Sequence, residues 1–222
     1  MFTKIYYKTK EILIFILNIF KYIITFIISF IFVFFLRDIF KFNDDIGFSL
    51  ALIMATSLFL LLLKREKKSP FKYLKIHKVN LKTILQLICF TIILVPVDLG
   101  IVALLRQTIT TNVSTETQLY FWSVLHLVIL APISEEIFFR GILFQKLKEI
   151  MPLFLSLIIQ GFIFGISHGA LSCHLIQSIV AGLSGILYAL VYNYKKNLTI
   201  PILLHSFYNS FLVILNLLFP NF

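Results

Sequence analysis

The chain has 222 residues, of which 59% are apolar and only 14% charged, against about 45–50% and about 25% in soluble domains. A mean hydropathy of +0.97 and 25 Phe exclude a water-soluble globule. The net charge of +10 would point to nucleic acid in a soluble chain; here the charges fall between apolar runs, which predicts an all-α, polytopic integral membrane protein whose surroundings are the lipid bilayer and not nucleic acid.

The first ten residues are basic, and the apolar run that follows is long and lacks an A-x-A-like cleavage site, so the sequence predicts a retained anchor and not a signal peptide. Crossing the hydrocarbon takes about 20 apolar residues. Runs of this kind lie at 12–36, 47–63, 83–105, 120–144, 153–168, 174–193 and 199–219. This predicts a helical bundle of seven transmembrane helices, or eight if a short one hides at a boundary. Lys21 leaves open a second arrangement of the first run, in which 1–20 lie in the interface and a shorter span follows. With no repeat of fixed period and no Ser/Gly linker, 1–222 reads as a single membrane domain. Cys89 and Cys173 are too few for a disulfide framework or a thiolate metal site.

Lys and Arg of short loops set orientation. Lys4, Lys8 and Lys10, the stretch from Lys64 to Lys82, Lys146 and Lys148, and Lys195 and Lys196 share one side; Arg37, Lys41 and Arg106 lie on the other. The N-terminus is predicted to be cytoplasmic and the membrane to be the plasma membrane. The basic 64–82 segment reads as a topology determinant.

Ionisable groups inside spans are costly and mark function by default. The fourth run carries Glu135, Glu136 and Arg140 behind Pro132. On a helix, residues i and i+4 lie about 40° apart, so Glu136 pairs with Arg140, while Glu135, about 140° away from Arg140, is left for chemistry. The fifth run places His168 beside a ridge of Gly161, Gly165 and Gly169 suited to close helix contact. The last sets His205 and Asn209 on one face. A carboxylate, two imidazoles and a carboxamide can activate water and steady a developing negative charge. At ~1.5 Å per residue, Glu135 and His205 count about 10–13 Å from the cytoplasmic end, Asn209 about 16 Å and His168 about 22 Å, which sets His168 deeper than its partners. Asp98 reads as the filler of a Pro96 kink or a group facing a wet cleft. His126, nine residues before Glu135, is expected to face away from the site, and Gly182 and Gly185 read as packing positions.

These residues resemble a known family, the CAAX prenyl protease-like and bacteriocin-processing intramembrane proteases (CPBP or Abi family). Its pattern E-E-x-x-x-R, F-x-x-x-H and H-x-x-x-N or D is matched by Glu135-Glu136-Ile-Phe-Phe-Arg140, Phe164-Gly-Ile-Ser-His168 and His205-Ser-Phe-Tyr-Asn209. The resemblance implies a catalytic core over 120–219, with Glu135 as general base acting with His168 on a water. It implies His205 and Asn209 as binders of the oxyanion, and Glu136 and Arg140 as a supporting ion pair. Zn²⁺ is the alternative cofactor, since a carboxylate and two His can hold it. The absence of H-E-x-x-H and the competence of a buried Glu as a base favour hydrolysis with no metal. The expected activity is hydrolysis of a peptide precursor or membrane-anchored substrate in a bacterial membrane. The competing readings are a non-catalytic scaffold or bacteriocin-immunity protein of the same fold, and a small transporter.

Overall fold

A computed structural model describes residues 2–108, 121–169 and 175–219. Among these the chain is helical with no strand. Helix α1 (Phe2–Phe40) is followed by α2 (Asp44–Arg65), which starts where the Asn43 side chain accepts from the Ile46 amide at 2.9 Å, satisfying a donor that the first turn leaves orphaned. The short α3 (Pro70–Leu74) leads to α4 (Leu81–Thr108), which carries Pro96 without ending there.

The centre of the fold is one helical rod. It comprises α5 (Phe121–Leu125), a π-helical stretch (His126–Leu130), α6 (Ala131–Glu136), a second π-helical stretch (Ile137–Phe144) and α7 (Gln145–Ile150). Three helices complete the bundle: α8 (Leu153–Gly169), α9 (Leu175–Lys195) and α10 (Thr199–Leu218). Every residue of the second π-helical stretch is buried. Its Phe138 stacks on Phe59 of α2 at 5.4 Å, and its Phe139 meets Phe164 of α8 edge-on at 4.8 Å.

Among the described residues five helices are long and apolar enough to cross a membrane: Ile16–Phe40, Ile46–Arg65, Leu81–Leu105, Leu175–Lys195 and Thr199–Leu218. This is an integral membrane protein, and the expected count of seven is not confirmed among the described residues. Two of the expected spans account for the difference. The run at 120–144 lies within the continuous rod, whose α and π segments are each shorter than a span, and the run at 153–168 forms a helix of 17 residues, about 25 Å long and at the short end of what crosses the hydrocarbon. Cys173 lies outside the described residues; Cys89 is exposed on α4 and free.

Lipid supplies no hydrophobic drive between helices, so they meet by close packing. The α8–α9 seam shows how close. A Cβ on Gly165 would collide with the Ser178 carbonyl oxygen, and one on Gly161 with the Ile186 side chain. The expected glycine ridge is therefore a contact of backbones at Gly161 and Gly165.

A second tie holds the basic end. Glu66, just past α2, pairs with Lys21, with Lys68 at 3.1 Å and with Lys146 at 4.0 Å, and accepts from the Tyr22 hydroxyl at 2.9 Å. Partial burial by itself raises the Glu66 pKa, but the bonds from Lys21, Tyr22 and Lys68 and the charge of Lys146 outweigh it and bring it down to about 2. Lys21 thus lies level with the end of α2.

Gly165→Val should destabilise the detergent-solubilised protein by about 1–3 kcal/mol through overpacking of the α8–α9 seam. Gly100→Ala, where an added Cβ meets nothing, should leave the melting temperature unchanged; equal melting of both variants contradicts the seam. For Glu66, a depressed folded-state pKa means a stabilisation that is complete above its ordinary value of 4.5 and lost as pH falls toward 2. Glu66→Gln should therefore lower stability at pH 7 by about 1 kcal/mol and flatten the decline between pH 4.5 and 2 in a thermal-melt series.

Candidate active site

Pro132 organises the rod locally. In the first π-helical stretch the Ala131 amide bonds to the His126 carbonyl, five residues back. The next donor in that register belongs to residue 132, a proline with no N–H. The Leu127 carbonyl is served instead from α10, where the Asn209 amide nitrogen donates at 2.7 Å. On the other side of the rod, Ser134 Oγ lies 2.6 Å from the Thr56 hydroxyl and 3.4 Å from the Leu52 carbonyl, which fastens the rod to α2. Glu135 and Glu136 are left to face the remaining helices.

Their division follows the helix. Glu136 Oε1 accepts from Arg140 Nη1 at 2.8 Å and from His205 Nδ1 at 3.0 Å, and Glu136 and Arg140 are both 0% exposed. The other arm of the guanidinium donates to the Gly185 carbonyl at 3.1 Å. Its plane lies 4.3 Å from the Phe164 ring and 5.2 Å from the Tyr188 ring, a desolvated cation–π setting. The expected pair is present, with a third member, His205.

Glu135 turns the other way, and its Oε2 lies 3.4 Å from His168 Nε2. His168 Nδ1 sits 2.9 Å from the Phe164 carbonyl; a carbonyl only accepts, so Nδ1 carries the hydrogen and Nε2 is the nitrogen turned to Glu135. Glu135 Oε2 has no hydrogen-bond partner.

The depth mismatch expected for His168 is absent, because the rod does not stop at 144 but continues as α7 to Ile150. Glu135 lies fifteen residues before that end and His168 fifteen after Leu153, so both count about 22 Å. The charges of 145–150 read as a loop in the sequence; in the fold Lys146 is buried and reaches back to Glu66.

Glu135, His168, His205 and Asn209 line one cavity of about 1350 Å³ with Ser184, Tyr188 and Tyr208. His205 and Asn209 are not partners of each other there. Each has its own acceptor on the rod, Glu136 for one and the Leu127 carbonyl for the other. His126, expected on the far face, leans toward Ser49 and Phe48 of α2 yet borders the same cavity. The π-helical turns between it and Glu135 wind less per residue, so a fixed 100° count misplaces it. Tyr188, 5.2 Å from the His205 ring, and the carbonyls of Gly185 and Phe164 were missed. A backbone acceptor leaves no signature in sequence; Tyr188, a phenol in an apolar run one turn from Gly185, did leave one.

Among the described residues no three His, Cys, Asp or Glu side chains converge to hold a metal ion. Glu135 and His168 would supply two ligands, and the carboxylate oxygen facing His205 is already taken by Arg140.

Residues 117–211 match the family model described as type II CAAX prenyl endopeptidase Rce1-like. That segment contains all three motifs. By these motifs and this match, residues 117–211 are similar to the CPBP family. A further match, 38% identical over 89 residues, is to the Bacillus subtilis (strain 168) protein named "Putative membrane peptidase YdiL"; it covers 40% of this chain and 35% of that relative, so the chain is compared with about a third of the relative's length. No solved structure matches the chain. The matched segment coincides with the rod and α8 to α10, the elements that carry every charged member of the cluster.

Glu136→Gln should lower stability by about 3–5 kcal/mol, because it leaves Arg140 buried without its counter-charge. Glu135→Gln, whose oxygen holds no hydrogen bond, should melt within about 1 kcal/mol of wild type. Thermal melts of the two neighbours in detergent check this; the reverse order refutes the division of roles.

Proposed function

We propose that the chain is a CAAX-type intramembrane endopeptidase of a bacterial plasma membrane, with its N-terminus cytoplasmic. It hydrolyses a peptide bond in a peptide precursor or membrane-anchored substrate. The observation that carries this reading is Glu135 beside His168 in a cavity, with an oxygen that has no hydrogen-bond partner. A scaffold has no use for a carboxylate held in this way, and the cost of burying it is the kind that functional sites bear.

In the proposed reaction a water set against a carboxylate oxygen of Glu135 and His168 Nε2 donates a hydrogen to each. Both atoms are acceptors when Glu135 is ionised and His168 is neutral with its hydrogen on Nδ1. Attack on the substrate carbonyl forms the C–O bond as Glu135 takes the water's proton. The oxyanion that develops is met by His205. His205 Nδ1 donates to Glu136, so its Nε2 donates to the oxyanion when the ring carries a hydrogen on both nitrogens. Glu135 then returns the proton to the leaving amine as the C–N bond breaks. Asn209 spends one amide hydrogen on the Leu127 carbonyl and retains one for the substrate.

No metal enters this scheme. Cleavage of membrane-reconstituted peptides should be lost, by at least about 10³-fold, in Glu135→Gln with the fold intact. Wild-type protein stripped with chelator should keep its rate and contain no stoichiometric zinc by elemental analysis. One ion per chain, with activity lost on stripping and regained with Zn²⁺, refutes metal-independent hydrolysis; full turnover by Glu135→Gln refutes the assignment of the base.

A further inference from the structure

Asp98 is a carboxylate within a membrane-spanning helix that the scheme above does not use. It is 6% exposed. Its partners are two hydroxyls, Ser184 Oγ of α9 at 3.5 Å and the Tyr208 hydroxyl of α10. Among the described residues no Lys, Arg or His pairs with it.

The hydrogen bookkeeping gives this cluster a polarity. An ionised carboxylate only accepts, so each hydroxyl gives it its one hydrogen. What Ser184 and Tyr208 then turn toward the cavity they line is lone pairs alone, two acceptor oxygens backed by a negative charge. A peptide carbonyl or a carboxylate would be repelled there. The group that fits is a donor with several hydrogens and a positive charge.

The walls fit the rest of such a side chain. Leu87 of α4 packs with Ile200 and Leu204 of α10, while Asp98 meets Tyr208, so the two helices run parallel; α9 runs against α10 across the short 196–198 connection. Val102, Leu212 and Val180 each lie one turn from Asp98, Tyr208 and Ser184, all toward the same end, and all line the cavity. An aliphatic stem laid along these three residues would bring its charged tip to the acceptors.

We propose that Asp98, Ser184 and Tyr208 form a subsite for a lysine or arginine side chain of the peptide. As a subsite for substrate it rests on the endopeptidase reading. It adds a specificity determinant: the peptide carries a basic residue at a fixed distance from the bond that is cut.

The test uses binding as well as cleavage. Fluorescently labelled apolar peptides with a single Lys moved along the sequence, each paired with its norleucine counterpart, are titrated into full-length Glu135→Gln protein in nanodiscs. One Lys register should bind about 10-fold tighter than its norleucine partner, the scale of one charged hydrogen bond. Asp98→Asn in the same background should bring that ratio to about 1, and Tyr208→Phe should reduce it. Equal binding of Lys and norleucine in every register overturns the subsite, as does a preference that survives both Asp98→Asn and Tyr208→Phe. The same peptides given to wild type separate the two readings. A Lys preference in binding with no cleavage keeps the subsite and removes the peptidase; cleavage indifferent to Lys keeps the peptidase and removes the subsite.

Discussion

A guanidinium shut away from both water and lipid is the constraint on which the rest of the structure depends. Arg140 is always charged and entirely buried, and such a charge persists only if counter-charge, acceptors and polarisable faces surround it. They come from three elements: Glu136 from the rod, the Gly185 carbonyl and the Tyr188 ring from α9, and the Phe164 ring from α8. Shifting any of these helices would strip a partner from the cation. The glycine seam between α8 and α9 serves the same end, since only a backbone contact brings Phe164 and Gly185 together near one side chain.

The same ring that covers Arg140 connects the charge to the chemistry. Phe164 offers its face to the guanidinium and its carbonyl to His168. His168 is thereby held in one tautomer and at the depth of Glu135. His205 is held by Glu136 directly. Both imidazoles are thus positioned by Arg140's own partners, which is why a pair with no place in the proposed reaction still governs it.

What could be read in advance was what local geometry determines. The Glu136–Arg140 bond follows from i,i+4 spacing, the freedom of Glu135 from its rotation out of that face, and the α8–α9 seam from glycines four apart. Tertiary partners overrode the rest. The two π-helical stretches change the phase of the rod, so the placement of His126 failed; Lys146 and Lys148 made the rod look four to six residues shorter than it is, because a charge counted as solvent-facing was in fact reaching Glu66. His205 and Asn209 do share a helix face, but the acceptors opposite them differ. Pro132, one of these determinants, stood in plain sight. Its missing N–H predicts an orphan carbonyl, yet no rule of spacing says that Asn209, some eighty residues away, will serve it.

The two histidines show how partner chemistry, more than residue type, sets a role. Each has Nδ1 bound to an acceptor and Nε2 turned elsewhere, but the acceptor is a backbone carbonyl for His168 and the Glu136 carboxylate for His205, so only His205 is tied directly to Arg140's counter-charge. In the proposed step Glu135 takes a proton from water as the oxyanion forms, so one negative charge moves from the carboxylate to the substrate and none is created. In a site with little water to solvate a new charge, a reaction that only relocates one avoids the largest electrostatic penalty available to it. Two adjacent carboxylates and a distant imidazole are in this sense one device: Glu136 holds the His205 ring in place, and Glu135 releases the negative charge that the oxyanion takes up.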